Sequence, residues 1–146
     1  MTAVQEMLHL DFDTVQPVLR CKKQRHDRGR LAYLSGQFAE DSVARYLEAR
    51  DLQIVARRWR GKAGEIDLIC RQGACHVFVE VKQAATHADA ALRLGRAQQQ
   101  RICLAALEYC DQLGIGSDVE MRFDLVTVDA LGRIEQLENA FGGCFH

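Results

Sequence analysis

No run of about 18 consecutive apolar residues occurs in the chain, so a membrane-spanning helix is excluded by length alone. That holds although 48% of its 146 residues are apolar. The opening segment MTAVQEMLHLDFD has neither the basic start nor the apolar centre of a secretory signal. A cytoplasmic location is the expectation. CxxC pairs are also lacking: the six cysteines stand at 21, 70, 75, 103, 110 and 144. A chain of this length buries roughly two-thirds of its unfolded surface and does not need disulfides to hold a core. All six are therefore read as reduced thiols. Cys70, Cys75 and His76 are neighbours without the paired spacing that a zinc site uses. Proline occurs once, at Pro17, and there is no internal repeat or low-complexity tract.

What is present is unevenly charged. Residues 20–101 hold 17 Lys and Arg against 9 Asp and Glu, whereas residues 105–146 hold 2 against 8. A basic body with acidic ends suits a polyanion on one face, and a solvated surface is the plain alternative. Residues 1–28 read as a basic N-terminal extension ending in the cluster RCKKQRHDRGR, and 29–146 as a single domain.

Within that domain, Leu34, Phe38, Val43 and Leu47, with Ala39 and Tyr46 beside them, recur at helical intervals and predict a first helix over about 31–50. LQIVARRWR, GEIDLICR and CHVFVEVK are three strand-like runs, the last two joined by a turn at Gln72, Gly73 and Ala74. QAATHADAAL reads as a small-residue connection to a second helix over about 94–113. MRFDLVTV is a fourth strand, and IEQLEN a shorter edge strand. The order is α-β-β-β-α-β, with a last β.

The stretch GEIDLICRQGACHVFVEVK carries charge where a buried sheet normally excludes it. With the turn centred on Gly73 and Ala74, Asp67 stands opposite Glu80 and Glu65 opposite Lys82, and alternation sends all four to one face. Ile66, Leu68 and Cys70 with Val77, Val79 and Val81 take the other. Two carboxylates about 4 Å apart repel by roughly 4 kcal/mol at an effective dielectric near 20. Either one acid takes up a proton or a divalent cation sits there. Hard oxygen ligands without His or Cys suit Mg²⁺ or Mn²⁺. A structural charge cluster is the alternative.

Asp67 followed by Glu80, Val81 and Lys82, with Glu40 on the preceding helix, resembles the PD-(D/E)XK nuclease superfamily. More narrowly, GEIDLI, VFVEVK, AEDSVARYL, FDLVTV and NAF resemble the YraN family, a bacterial group similar to Holliday-junction resolvases. The resemblance implies an α/β, restriction-endonuclease-like three-layer αβα core with a mixed central sheet. It implies that Glu40, Asp67, Glu80 and the Val81 carbonyl hold the metal, and that Lys82 orients or helps deprotonate the attacking water. Asp67, Glu80 and Lys82 are then the catalytic residues, with Glu65 and Gln99 as auxiliary groups. It also implies a homodimer. The chain departs from the family after EVK, where Gln83 and Ala84 replace a further basic residue.

Arg57, Arg58, Arg60 and Lys62 in ARRWRGK are candidates for holding a nucleic-acid backbone without reading its sequence. Trp59, an isolated aromatic, is expected in the core rather than as a base-stacking platform. The function expected is metal-dependent hydrolysis of phosphodiester bonds in DNA, more than RNA, on branched or flapped substrates. The rivals are a nucleic-acid-binding protein of the same fold without turnover and a protein-interaction module.

Overall fold

The computed structural model describes residues 36–116 and 119–143, which from Gln37 onward fall in the unit Gln37–His146. The expected extension at 1–28 lies outside the described residues. Residues 36–48 form helix α1. Ala39, Val43 and Leu47 recur at four-residue steps and are buried, which is the spacing of one helical face. Phe38, expected on that face, is 71% exposed because the buried stripe runs through Ala39 beside it.

Five strands follow: β1 Gln53–Arg60, β2 Glu65–Gln72, β3 Cys75–Gln83, β4 Met121–Val128 and β5 Ile134–Phe141. They form one sheet in the order 1-2-3-4-5. β3 and β4 run parallel and every other neighbouring pair is antiparallel, so the sheet is mixed. A parallel pair needs a long crossover. Here it is made of two helices, α2 His87–Leu92 and α3 Arg96–Gln112. The first lies in the segment expected to be a connection. It is a single short helix, started by the Thr86 hydroxyl accepting from the Asp89 N–H at 3.1 Å.

Apolar residues fill both faces of the sheet. α1 packs through Val43 and Leu47 on Leu68, Cys70, Val77 and Val79. α3 packs through Ile102, Ala106 and Tyr109 on Ile69, Phe78 and Phe123. The result is an α/β fold with a helix layer on each face. Phe78 stacks on Phe123 with ring centres 5.4 Å apart, and Tyr109 meets both Phe78 and Trp59 edge-on. Trp59 therefore belongs to core packing.

Alternation fails at one place. Leu68 and Cys70 face α1, whereas Ile66 and Ile69 both join the cluster under α3. Ile66 is thus not on the face expected for it. The break falls at Asp67. Across from it on β1, between the pairs Arg57–Leu68 and Trp59–Ile66, Arg58 has a left-handed φ of 49°. The register passes through unshifted, so the distortion re-aims side chains without inserting a residue.

Cys70, Cys75 and Cys110 are free and buried. Cys103 is disulfide-bonded, its partner lying outside the described residues, which corrects the reading of six reduced thiols. Chain spacing does not reveal which distant cysteines fold to within bridging distance.

Candidate metal centre

The β2–β3 hairpin sets the site. Gly73, with φ of 60°, supplies the left-handed turn residue. The pairs Leu68–Val79, Ile69–Phe78 and Cys70–Val77 are the register that brings Asp67 to the level of Glu80. One step past Leu68–Val79, a side chain replaces the backbone ladder: the Val81 N–H donates to Asp67 Oδ2 at 2.8 Å. A strand residue sends its N–H and C=O to the same side, so the Val81 carbonyl lies on the same edge.

Glu80 is buried in the sheet. Its Oε1 accepts from Gln98 Nε2 at 2.9 Å and lies 3.2 Å from Lys82 Nζ. Burial first, and the Asp67 charge next, push the Glu80 carboxyl up to about 8, with Lys82 offsetting part of this. Burial likewise raises Asp67 above its ordinary value, against donation from Val81 and from the Glu80 carboxyl, and the Glu40 charge adds to the rise. Both shifts favour a proton on this pair of acids over two adjacent negative charges. Without a second cation, this is how two buried carboxyls settle side by side.

Glu40 comes from α1. Both of its carboxylate oxygens accept from Arg58 Nε, at 2.9 and 3.3 Å. Glu65 is not brought to Lys82: it lies 3.5 Å from Arg60 on the exposed rim, beyond the break in alternation at Asp67, and Lys82 lies 3.2 Å from Glu80 on its own strand. Gln99 does not reach the acids either. Its amide donates to the Leu94 carbonyl at 3.3 Å, and Gln98 makes the contact assigned to it. Among the described residues, no three His, Cys, Asp or Glu side chains converge as a ready metal cage. The donor set of Asp67, Glu80 and the Val81 carbonyl still fits a hard divalent ion. Two oxygen acids crowded enough to hold a proton between them have the chemistry that a doubly charged cation resolves.

The four basic candidates are placed on β1 and the loop after it. Arg57 Nη1 pairs with Asp41 at 2.8 Å and Arg58 with Glu40. Arg60 and Lys62 are exposed. The loop itself is pinned by a residue the sequence reading missed: Glu108 of α3 accepts from the Lys62 N–H at 2.8 Å and from the Ala63 N–H at 3.2 Å. Gly61 makes room for it, since a Cβ there would meet the Glu108 carboxylate and the Trp59 ring.

Comparison with known sequences agrees with the extent of this site. The profile described as "Uncharacterised protein family UPF0102" matches residues 39–128, from α1 to the end of β4. A UPF0102 protein of Cereibacter sphaeroides is 50% identical over 113 residues, covering 77% of this chain and 97% of that protein. One from Ruegeria pomeroyi is 50% identical over 115 residues, covering 79% and 94%, and one from Dinoroseobacter shibae 44% over 117, covering 80% and 87%. With a profile that spans every element of the site and relatives matched over nearly their whole length, this chain belongs to the UPF0102 family, as its likeness to the YraN sequences implied.

Proposed function

We propose that this protein is a divalent-metal-dependent endonuclease-like hydrolase of DNA phosphodiester bonds, with a restriction-endonuclease-like core, acting on branched or flapped substrates. The observation that carries the reading is the meeting of Asp67, Glu80 and Lys82 at the open edge of the β2–β3 ladder. Asp67, Glu80 and the Val81 carbonyl would hold Mg²⁺ or Mn²⁺, which when bound would supply positive charge to the phosphate oxygen and acidify a water. The protein's own groups do the rest. Lys82, one-fifth exposed, presents N–H donors and a positive charge where a scissile phosphate arrives. Gln98 holds the Glu80 carboxyl by donating to Oε1, the oxygen that also faces Lys82. The Val81 N–H, fixed in the strand's main chain, holds the Asp67 carboxylate by donating to its Oδ2.

Nicking of flapped DNA in Mg²⁺ or Mn²⁺ tests this. Asp67→Ala and Lys82→Ala should each lose about a hundredfold or more. Activity unchanged in both refutes the assignment. One observation favours a second reading, a structural cluster: Lys82 Nζ already lies 3.2 Å from Glu80 and offsets part of the acids' charge. Mn²⁺ titration decides between them, because only a true site gains thermal stability from the ion.

Contact with the DNA backbone falls to Arg60 and Lys62 on the exposed rim and to Arg57 and Arg58 beside it. A two-fold dimer matched to a two-stranded substrate, read out by sedimentation, and a cytoplasmic setting belong to the same proposal. Among the described residues no helix is long and apolar enough to cross a membrane.

A further inference from the structure

Arg58 is joined to the acidic cluster through Glu40, with its Nε bonded to both oxygens of that carboxylate. Its position is specific. By the pairs on either side, Arg57–Leu68 and Trp59–Ile66, it is the β1 residue that faces Asp67. It is also the residue of β1 with a left-handed backbone, a conformation costly to any side chain with a Cβ. The strain has an identifiable product. In a regular strand neighbouring side chains point to opposite faces, yet Arg57 and Arg58 both reach α1, the first to Asp41 and the second to Glu40.

We propose that Arg58 is the resident counter-ion of the acidic site: it holds the Glu40 carboxylate beside Asp67 in the metal-free protein and yields it to a divalent cation. This rests on the metal-site reading above and adds a positioning residue to it. Guanidinium suits the task. It stays charged at any working pH, so Glu40 is never left uncompensated, and it carries one charge where the incoming ion carries two. Glu40 already acts on Asp67 through its charge, so a cation at Asp67 draws on Glu40 as well. Once displaced, the Arg58 guanidinium stands at the rim of the site, where a phosphodiester oxygen is its matching acceptor.

Calorimetric titration of Mn²⁺ into the wild type, Arg58→Asn, Glu40→Gln and the double variant tests the exchange. Asparagine tolerates the left-handed backbone and carries no charge. Arg58→Gly, which relieves the strain outright, is the second neutral variant and should behave alike. Losing the competing charge-assisted bond should tighten Mn²⁺ binding about tenfold. Glu40→Gln should weaken it, and adding Arg58→Asn to Glu40→Gln should give no further gain, a non-additivity that general loss of positive charge does not produce. Arg50→Gln, which removes a cation stacked on Tyr46, should leave the affinity as it was. If Arg58→Asn and Arg58→Gly bind Mn²⁺ no tighter than wild type, or gain equally without Glu40, the proposal is overturned and the metal site stands. If the wild type binds no Mn²⁺, the site reading falls and the proposal with it.

Discussion

Replacing Glu80 with glutamine keeps the shape of the side chain and an oxygen for Gln98 to donate to, and removes the ionisable group. In the fold the acid is held up to about 8, against an ordinary value of 4.5. A group raised in this way contributes stability that is whole below the unfolded value and is lost as pH climbs through the folded one. Inside that window each pH unit costs about 1.4 kcal/mol. Metal-free wild type should therefore lose about 3–4 kcal/mol between about pH 5 and pH 8, or roughly 10–15 °C in Tm. Glu80→Gln should keep most of that stability and be the more stable protein at pH 8. Thermal and urea unfolding in EDTA, in steps of one pH unit, measure the difference. Mn²⁺ at pH 8 should restore the wild type and do nothing for the variant. Parallel pH profiles for the two proteins would refute the account of a buried, proton-sharing pair.

Other expectations are independent of that one. Gly61→Ala, which drives a Cβ into the Glu108 carboxylate and Trp59, should cost about 1–3 kcal/mol by denaturant unfolding. Asp124, fully buried, accepts from Arg122, Gln136 and the Asn139 N–H. Asp124→Ala should destabilise by about 3–5 kcal/mol while leaving Mn²⁺ affinity unchanged in whatever fraction folds. Arg60→Glu should weaken DNA binding and flatten its salt dependence, and Lys82→Ala should spare binding, both read by fluorescence anisotropy, while Lys82→Ala nicking falls about a hundredfold or more. Equal losses of binding in these two variants would contradict the separation of grip from chemistry.

How much of this was legible in the sequence depends on the strength of the local signal. The β2–β3 hairpin was: strict alternation in Leu68, Cys70, Val77 and Val79, with Gly73 at the turn, fixes a register that a single slip would invert. The convergence of Asp67 and Glu80 follows from that register. The fate of Glu65 and Arg58 does not, because both depend on a backbone distortion for which an arginine in mid-strand gives no warning. Three glutamines in succession, Gln98 to Gln100, cannot tell which one faces the sheet until the phase of α3 is known. α2 stayed hidden because six residues with one large apolar side chain, the exposed Leu92, give no periodicity to read, and its one signal, Thr86 three residues before Asp89, is short. The acids that hold Arg57 and Arg58 are consecutive on α1, some 17 residues earlier in the chain, where nothing in composition marks them as partners.

The two outermost strands have a consequence for self-association. β1 carries Arg57, Arg58 and Arg60 and no acid, while β5 carries Glu135 and Glu138 and no base. Two copies joined symmetrically along the β5 border would bring acid against acid, which opposes that continuous ten-stranded sheet, whereas the β1 arginines are already paired with Asp41, Glu40 and Glu65. Unlike borders, β1 against β5, attract, and such head-to-tail joining builds open-ended chains of molecules rather than closed pairs.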